Sequence, residues 1–224
     1  MIDYLIELLL TVPVVLIALT FHECAHGYVA YLCGDKTAKN LGRLTLNPIK
    51  HIDIIGAICM LLFHFGWAKP VPINSRNFKN PKRDIALCAL AGPTSNMLLA
   101  FIGCFLYSFS FFLLRDVTFA SQNFSYWLCY AWLIFLYNFA WLNIALALFN
   151  LIPLPPLDGS RILCTFLPDR AYFKVMRYER EIALGFFAIL FIDNRFLNGT
   201  IMGWLSAIVN LIFNGMMLLF SFLF

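Results

Sequence analysis

Between Ile85 and Leu114 the chain runs for thirty residues without a charged side chain, and further uncharged runs span Val117 to Leu157 and Phe196 to Phe224. The hydrocarbon core of a bilayer, about 30 Å thick, takes roughly 20 apolar residues in a helix to cross. Only structures that satisfy their own backbone hydrogen bonds are stable there, so these runs read as membrane-spanning helices. The 224 residues are 62% hydrophobic and 12% charged, with a mean hydropathy of +0.80. A soluble domain carries about 25% charged residues. The composition therefore excludes a soluble enzyme, a disordered chain and a nucleic-acid reader, and a net charge of +4 is too small to argue otherwise. The expected fold class is an all-α polytopic membrane protein, a helical transmembrane bundle forming one membrane-embedded domain over residues 1–224.

Spans are expected at about 4–32, 85–114, 126–152 and 200–224, with 182–192 as a half-span candidate. Pro13 reads as a kink in the first, Gly92-Pro93 as an interruption of the second, and Pro153, Pro155 and Pro156 as the end of the third. The first span begins with Asp3 and Glu7 and outruns the length of a signal peptide, so it is expected to be retained. Nine of the sixteen basic residues lie between Gly34 and Asp84 and five between Gly159 and Glu181, whereas residues 115–125 carry one. Basic loops stay on the cytoplasmic side, which puts the amino terminus outside and both basic segments inside. Within the first of them, Ile54 to Phe65 is apolar but too short to cross, and reads as a re-entrant or membrane-surface segment. Trp67 to Asn74, with Pro70 and Pro72, is poor for helix and suits an edge strand or loop. Backbone of that kind at membrane depth needs protein or water beside it, which points to a wet cavity on the cytoplasmic side. The seven cysteines (Cys24, Cys33, Cys59, Cys88, Cys104, Cys129 and Cys164) have no paired spacing and read as small buried hydrophobes.

Chemistry concentrates near the inner end of the first span, in Phe21-His22-Glu23-Cys24-Ala25-His26-Gly27. On a helix, His22 and His26 stand about 40° apart around the axis and about 6 Å apart along it, so both imidazoles reach one metal ion. Glu23 flanks that ion and can hold the attacking water, the HExxH arrangement of zinc hydrolases. The bland reading is a polar pair packing helix on helix. Three ionisable groups within five residues of a membrane span are costly, however, and mark a functional site by default. A catalytic zinc needs a third protein ligand, with water in the fourth position. His51 and His64 are candidates from the basic segment. Asp158, in Leu157-Asp158-Gly159 just past the inner end of the third span, is the stronger one, because topology puts it at the same membrane face as the histidines. Alone, Leu-Asp-Gly reads equally as a helix-ending turn.

Taken together these motifs resemble the site-2 protease family, the intramembrane zinc metalloproteases. The likeness covers HECAH, Gly42-Arg-Leu-Thr-Leu-Asn-Pro48, Phe65-Gly-Trp-Ala-Lys-Pro-Val-Pro72, Ala91-Gly-Pro-Thr-Ser-Asn96 and the stretch Asn150 to Gly159. It implies one zinc ion held by His22, His26 and Asp158, with Glu23 as catalytic base and Asn150 beside the metal as an oxyanion hydrogen-bond donor. Trp67 to Asn74 reads as structural, with substrate contacts at Trp67, Lys69 and Val71 if the segment also pairs with substrate as a strand, and Asn96 either faces the cleft or simply satisfies a neighbouring backbone group. After about Arg161 the likeness is loose. No stretch is long enough for the PDZ or CBS domain that many relatives carry, so a short form is expected.

The implied activity is zinc-dependent endopeptidase cleavage of transmembrane segments of single-pass membrane proteins, by Glu23-assisted attack of zinc-activated water on the peptide carbonyl. The expected setting is a prokaryotic cell membrane, with the site toward the cytoplasm. A membrane helix exposes no free carbonyl, so the substrate must unwind locally, and an added strand could hold it. Two rivals use the same ligands. A membrane zinc carrier would need further acidic or histidine residues along a path, which the other spans lack. A non-catalytic relative that binds single-pass proteins has no use for Glu23.

Overall fold

The computed structural model describes residues 2–53, 56, 68–115, 117, 124–196 and 198–223. Their helices are α1 (Ile2–Leu32), α2 (Thr37–Asn40), α3 (Pro81–Leu114), α4 (Phe124–Asn150), α5 (Asp158–Thr165), α6 (Asp169–Arg177), α7 (Glu179–Phe196) and α8 (Thr200–Ser221). Four are long and apolar enough to cross a membrane: α1 from Leu9 to Leu32, α3, α4 and α8. The half-span candidate 182–192 lies inside α7, which is not one of the four. Trp67 and the segment Ile54 to Phe65, Gly56 excepted, fall outside the described residues.

A stripe of buried positions on α1 recurs every fourth residue, at Val14, Ala18, His22, His26 and Ala30. Those on α3 do the same, at Asp84, Cys88, Gly92, Asn96, Ala100, Cys104 and Ser108. Spacing of four keeps side chains on one face of a helix. Both stripes are dominated by small or polar residues. That suits a membrane, where lipid tails are as apolar as leucine and helices associate through close van der Waals contact and hydrogen bonds. Helix α4 lies against α1 and α3, and α8 closes the bundle through a core of Ala100, Cys104, Ala140, Ile144, Val209 and Phe213. The indole of Trp141 donates to Asn210 Oδ1 at 2.8 Å and ties α4 to α8.

Helix α3 departs from expectation in two ways. It begins at Pro81, four residues before the apolar run, because proline at the first helical position has no N–H to leave unsatisfied. It also runs unbroken through Gly92 and Pro93. The Thr94 and Ser95 hydroxyls donate to Leu90 O at 2.8 Å and Gly92 O at 2.7 Å, supplying bonds in the turn that Pro93 disturbs. Helix α4 stops at Asn150, two residues short of the expected end.

Residues Ala68 to Asn74 form an extended strap across the carboxy-terminal end of α1. It is tied to Ile52 by an isolated antiparallel bridge at Ala68. Lys69 N donates to His51 O at 2.9 Å, and the Arg43 guanidinium donates to Lys69 O at 2.8 Å and Pro70 O at 3.2 Å. Asp35, fully buried, accepts from Asn74 N and from the side chain of Asn77, each at 2.7 Å. Burial pushes the Asp35 carboxyl up, but the bonds from Asn74, Thr37 and Asn77 outweigh it and hold the group below the usual carboxylate range.

Candidate metal centre

His22, His26 and Asp158 come together where α1, α3 and α5 meet. Asp158 reaches the histidines because the chain turns back tightly after α4. Leu157 N donates to Leu154 O, and Ser160 donates through both N and Oγ to Leu157 O. A Cβ at Gly159 would collide with the Leu151 and Ile152 carbonyl oxygens, so the Asp-Gly pair lets α5 start directly on the end of α4. The His22 and His26 Nε2 atoms are 3.0 Å apart, and Asp158 Oδ2 is 3.2 Å from each.

The outer nitrogen of each ring shows what the inner one carries. His26 Nδ1 lies 2.6 Å from the Cys88 carbonyl, which can only accept, so Nδ1 bears a proton and the neutral ring turns its Nε2 lone pair inward. His22 Nδ1 lies 2.6 Å from Asn96 Oδ1. The Asn96 Nδ2 faces the Ala18 carbonyl at 3.2 Å, which fixes the amide with its oxygen toward the ring and gives His22 the same tautomer. Three acceptors thus converge with no donor among them, and buried Asp158 Oδ2 has no hydrogen-bond partner among the described residues. Such an arrangement calls for a cation. Tetrahedral zinc, with bonds of about 2.0–2.2 Å, keeps its ligand atoms roughly 3.3–3.6 Å apart, so the donor set fits that metal after small adjustments. Two imidazoles, one carboxylate and hydrogen-bonded outer nitrogens are also the ligand types and outer shell that zinc favours.

The residues around this centre line a cavity of about 650 Å³ that includes Glu23, Val71, Asn150, Asp158, Arg161 and Tyr172. Glu23 Oε2 accepts from Val71 N at 2.8 Å, so the strap holds one carboxylate oxygen and leaves the other for a ligand. Asn150 is on the wall, with Nδ2 donating to Leu146 O at 3.0 Å, and an amide nitrogen has a second hydrogen to offer. An apolar cavity of about 400 Å³ adjoins this one, sharing Leu19, Ala68, Leu146 and Phe149.

Several sequence-level expectations change here. Asn96 does not face the cleft: it is fully buried and absent from the cavity wall, with its amide engaged by His22, Ala18 and Asn143. Its amide oxygen faces the His22 imidazole. Lys69 is likewise off the wall, its backbone bonded to His51 and Arg43. Val71 is on the wall, but its N–H belongs to Glu23. Pro70 and Pro72 have no N–H, so within residues 69–72 no donor is left for an added strand. Trp67 lies outside the described residues, as does His64. His51 does not join the centre; its Nε2 donates to Thr45 O at 2.8 Å and it lines the apolar cavity instead.

Two participants escaped the sequence reading. A Cβ at Gly92 would stand 2.5 Å from His26 Nε2 and 2.6 Å from His22 Cε1, so the absence of a side chain there makes room for both rings. Asn143, buried on α4, accepts from Asn96. The four-residue spacing of Gly92 and Asn96 on one helix was the available signal, whereas nothing local marks Asn143.

Residues 10–192 match the family model described as Peptidase family M50. A Bacillus subtilis (strain 168) protein that carries the name "Putative zinc metalloprotease YwhC" is 45% identical over 184 residues, which are 79% of this chain and 77% of that one. "Putative zinc metalloprotease Rip2" of Mycobacterium tuberculosis (strain H37Rv) is 26% identical over 205 residues, 89% of this chain and 71% of its own. The Mycolicibacterium smegmatis protein of the same name is 27% identical over 148 residues, 64% of this chain and 52% of its own. No solved structure matches the chain.

Proposed function

Given that this chain belongs to peptidase family M50 and is a membrane metalloprotease, we propose that it is an intramembrane zinc endopeptidase that cuts transmembrane segments of single-pass membrane proteins. The observation that carries this reading is the convergence of three metal-ligating atoms, His22 Nε2, His26 Nε2 and Asp158 Oδ2, beside a carboxylate in a cavity among apolar helices. One zinc ion per chain would be held by these three residues. When bound, zinc supplies a Lewis acid that activates water and polarises a carbonyl.

The remaining steps belong to the protein. Glu23, steadied at Oε2 by Val71 N, uses its other oxygen to take the water proton and returns it to the departing amine. Asn150 offers its second amide hydrogen to the developing oxyanion. The adjoining apolar cavity suits the side chains of a membrane segment drawn toward the cut site. Strand pairing with the strap is not part of this reading, because the donors of residues 69–72 are missing or engaged. The basic segments follow the carboxy-terminal ends of α1 and α4, which supports a cytoplasmic site and an outer amino terminus.

Glu23→Gln tests the assignment. It keeps size and one acceptor but removes the base, so the variant should retain zinc while cleavage of a co-reconstituted single-pass protein falls by about two to four orders of magnitude. Cleavage at the parental rate would refute the mechanism even with zinc in place.

A further inference from the structure

We propose that Asn143 is a positioning residue for the metal centre, acting on His22 through Asn96. The inference rests on the zinc reading above and concerns how the chain prepares a ligand before metal arrives. Asn143 Nδ2 lies 2.8 Å from the Phe139 carbonyl, which can only accept. That sets its amide orientation and turns Oδ1 toward Asn96. Oδ1 can only accept in turn, so the Asn96 atom 2.8 Å away is Nδ2. The Ala18 carbonyl, on α1, makes the same demand of the same nitrogen. Asn96 Oδ1 is thereby aimed at His22 Nδ1, which carries the proton, and His22 Nε2 is left bare toward His26 and Asp158.

The relay spans three helices, from the Phe139 carbonyl on α4, through Asn96 on α3, to His22 on α1. Asn143 and Asn96 are both fully buried, so no water can stand in for a lost partner. His26 needs no such relay, because a main-chain carbonyl fixes it directly. Without Asn143, only Ala18 O resists a turn of the Asn96 amide. The turned amide would present a donor to His22 Nδ1 and move the ring proton to Nε2, where it would bond to Asp158 and compete with the metal.

The test is a cycle of variants of the full chain in detergent, with zinc affinity read by competition against a chelator and thermal unfolding read on the metal-free protein. Asn96→Leu should weaken zinc binding by about 10- to 100-fold and Asn143→Leu by about tenfold, the range for outer-shell partners of metal ligands. The double variant should bind zinc no more than about twofold worse than Asn96→Leu alone, since one residue acts through the other. Asn143→Asp should stay within about threefold of the parent, because a protonated carboxyl facing the Phe139 carbonyl offers its hydroxyl to Phe139 O and its carbonyl to Asn96. Additive losses, or parental affinity in Asn143→Leu, would overturn the proposal. Should the leucine variant not fold, ¹⁵N spectra of the metal-free parent decide the matter: His22 protonated at Nδ1 is expected, and a proton on Nε2 overturns the relay. His22→Ala tests the metal reading separately. If it loses zinc while the Asn143 cycle shows no coupling, the relay alone fails.

Discussion

Replacing Gly92 by alanine adds a single methyl group at the place where α3 faces both histidines. The new Cβ would lie 2.5 Å from His26 Nε2 and 2.6 Å from His22 Cε1. Ordinary contacts between carbon-sized atoms lie at about 3.5–4.0 Å, so the rings must retreat by about 1 Å. Metal sites tolerate errors of only about 0.2 Å in ligand position, and the displacement is roughly five times that. Nor can the rings move freely, because each outer nitrogen is bonded, to Asn96 and to the Cys88 carbonyl. Zinc affinity should therefore fall by at least about 100-fold, comparable with removing an outer-shell partner altogether. The metal-free protein should lose only the cost of overpacking, about 1–3 kcal/mol. Gly215→Ala on α8 is the matched control: nothing lies within 4 Å of its added Cβ, and alanine in a helix is favoured by about 0.5–1 kcal/mol. Chelator competition and thermal unfolding of the two variants side by side make the assay. A Gly92→Ala protein that held zinc like the parent would refute the argument that this helix face leaves no room around the histidines.

Asp35 gives a pH dependence. Its folded-state pKa is depressed below the unfolded value of about 3.9, so the stability it contributes is fully present above that value and lost as pH falls through the folded one. Asp35→Asn should lower the melting temperature at pH 7 and flatten the acid limb below about pH 4; an acid limb identical to the parent's would count against the assignment. Asp193, fully buried, accepts from Ile201 N and Met202 N at the start of α8, and Asp193→Ala should cost about 1–2 kcal/mol of unfolding free energy with zinc affinity unchanged. A loss of zinc in that variant would show that the end of α8 is coupled to the centre.

What the sequence determined by itself was whatever depends on a few neighbouring residues. Uncharged runs long enough to cross a bilayer become helices because no other open structure satisfies the backbone there. His22 and His26 share a face because a helix repeats every 3.6 residues, and that holds whatever packs against it. The choice between His51 and Asp158 was not local. It turned on a sharp return after α4 that Gly159 permits, and on His51 being turned toward Thr45. The strap illustrates the same divide. Its prolines announced extended backbone, but only the contact of Val71 N with Glu23 revealed that its donor was already engaged. Asn96 could face the cleft or the protein as far as spacing could tell. Its direction is decided by carbonyls on α1 and α4, residues 78 and 47 positions away through Ala18 and Asn143. Tertiary structure settles such questions because a buried polar atom must find its partner wherever the packed helices place one, and helical periodicity carries no information about which distant carbonyl that is.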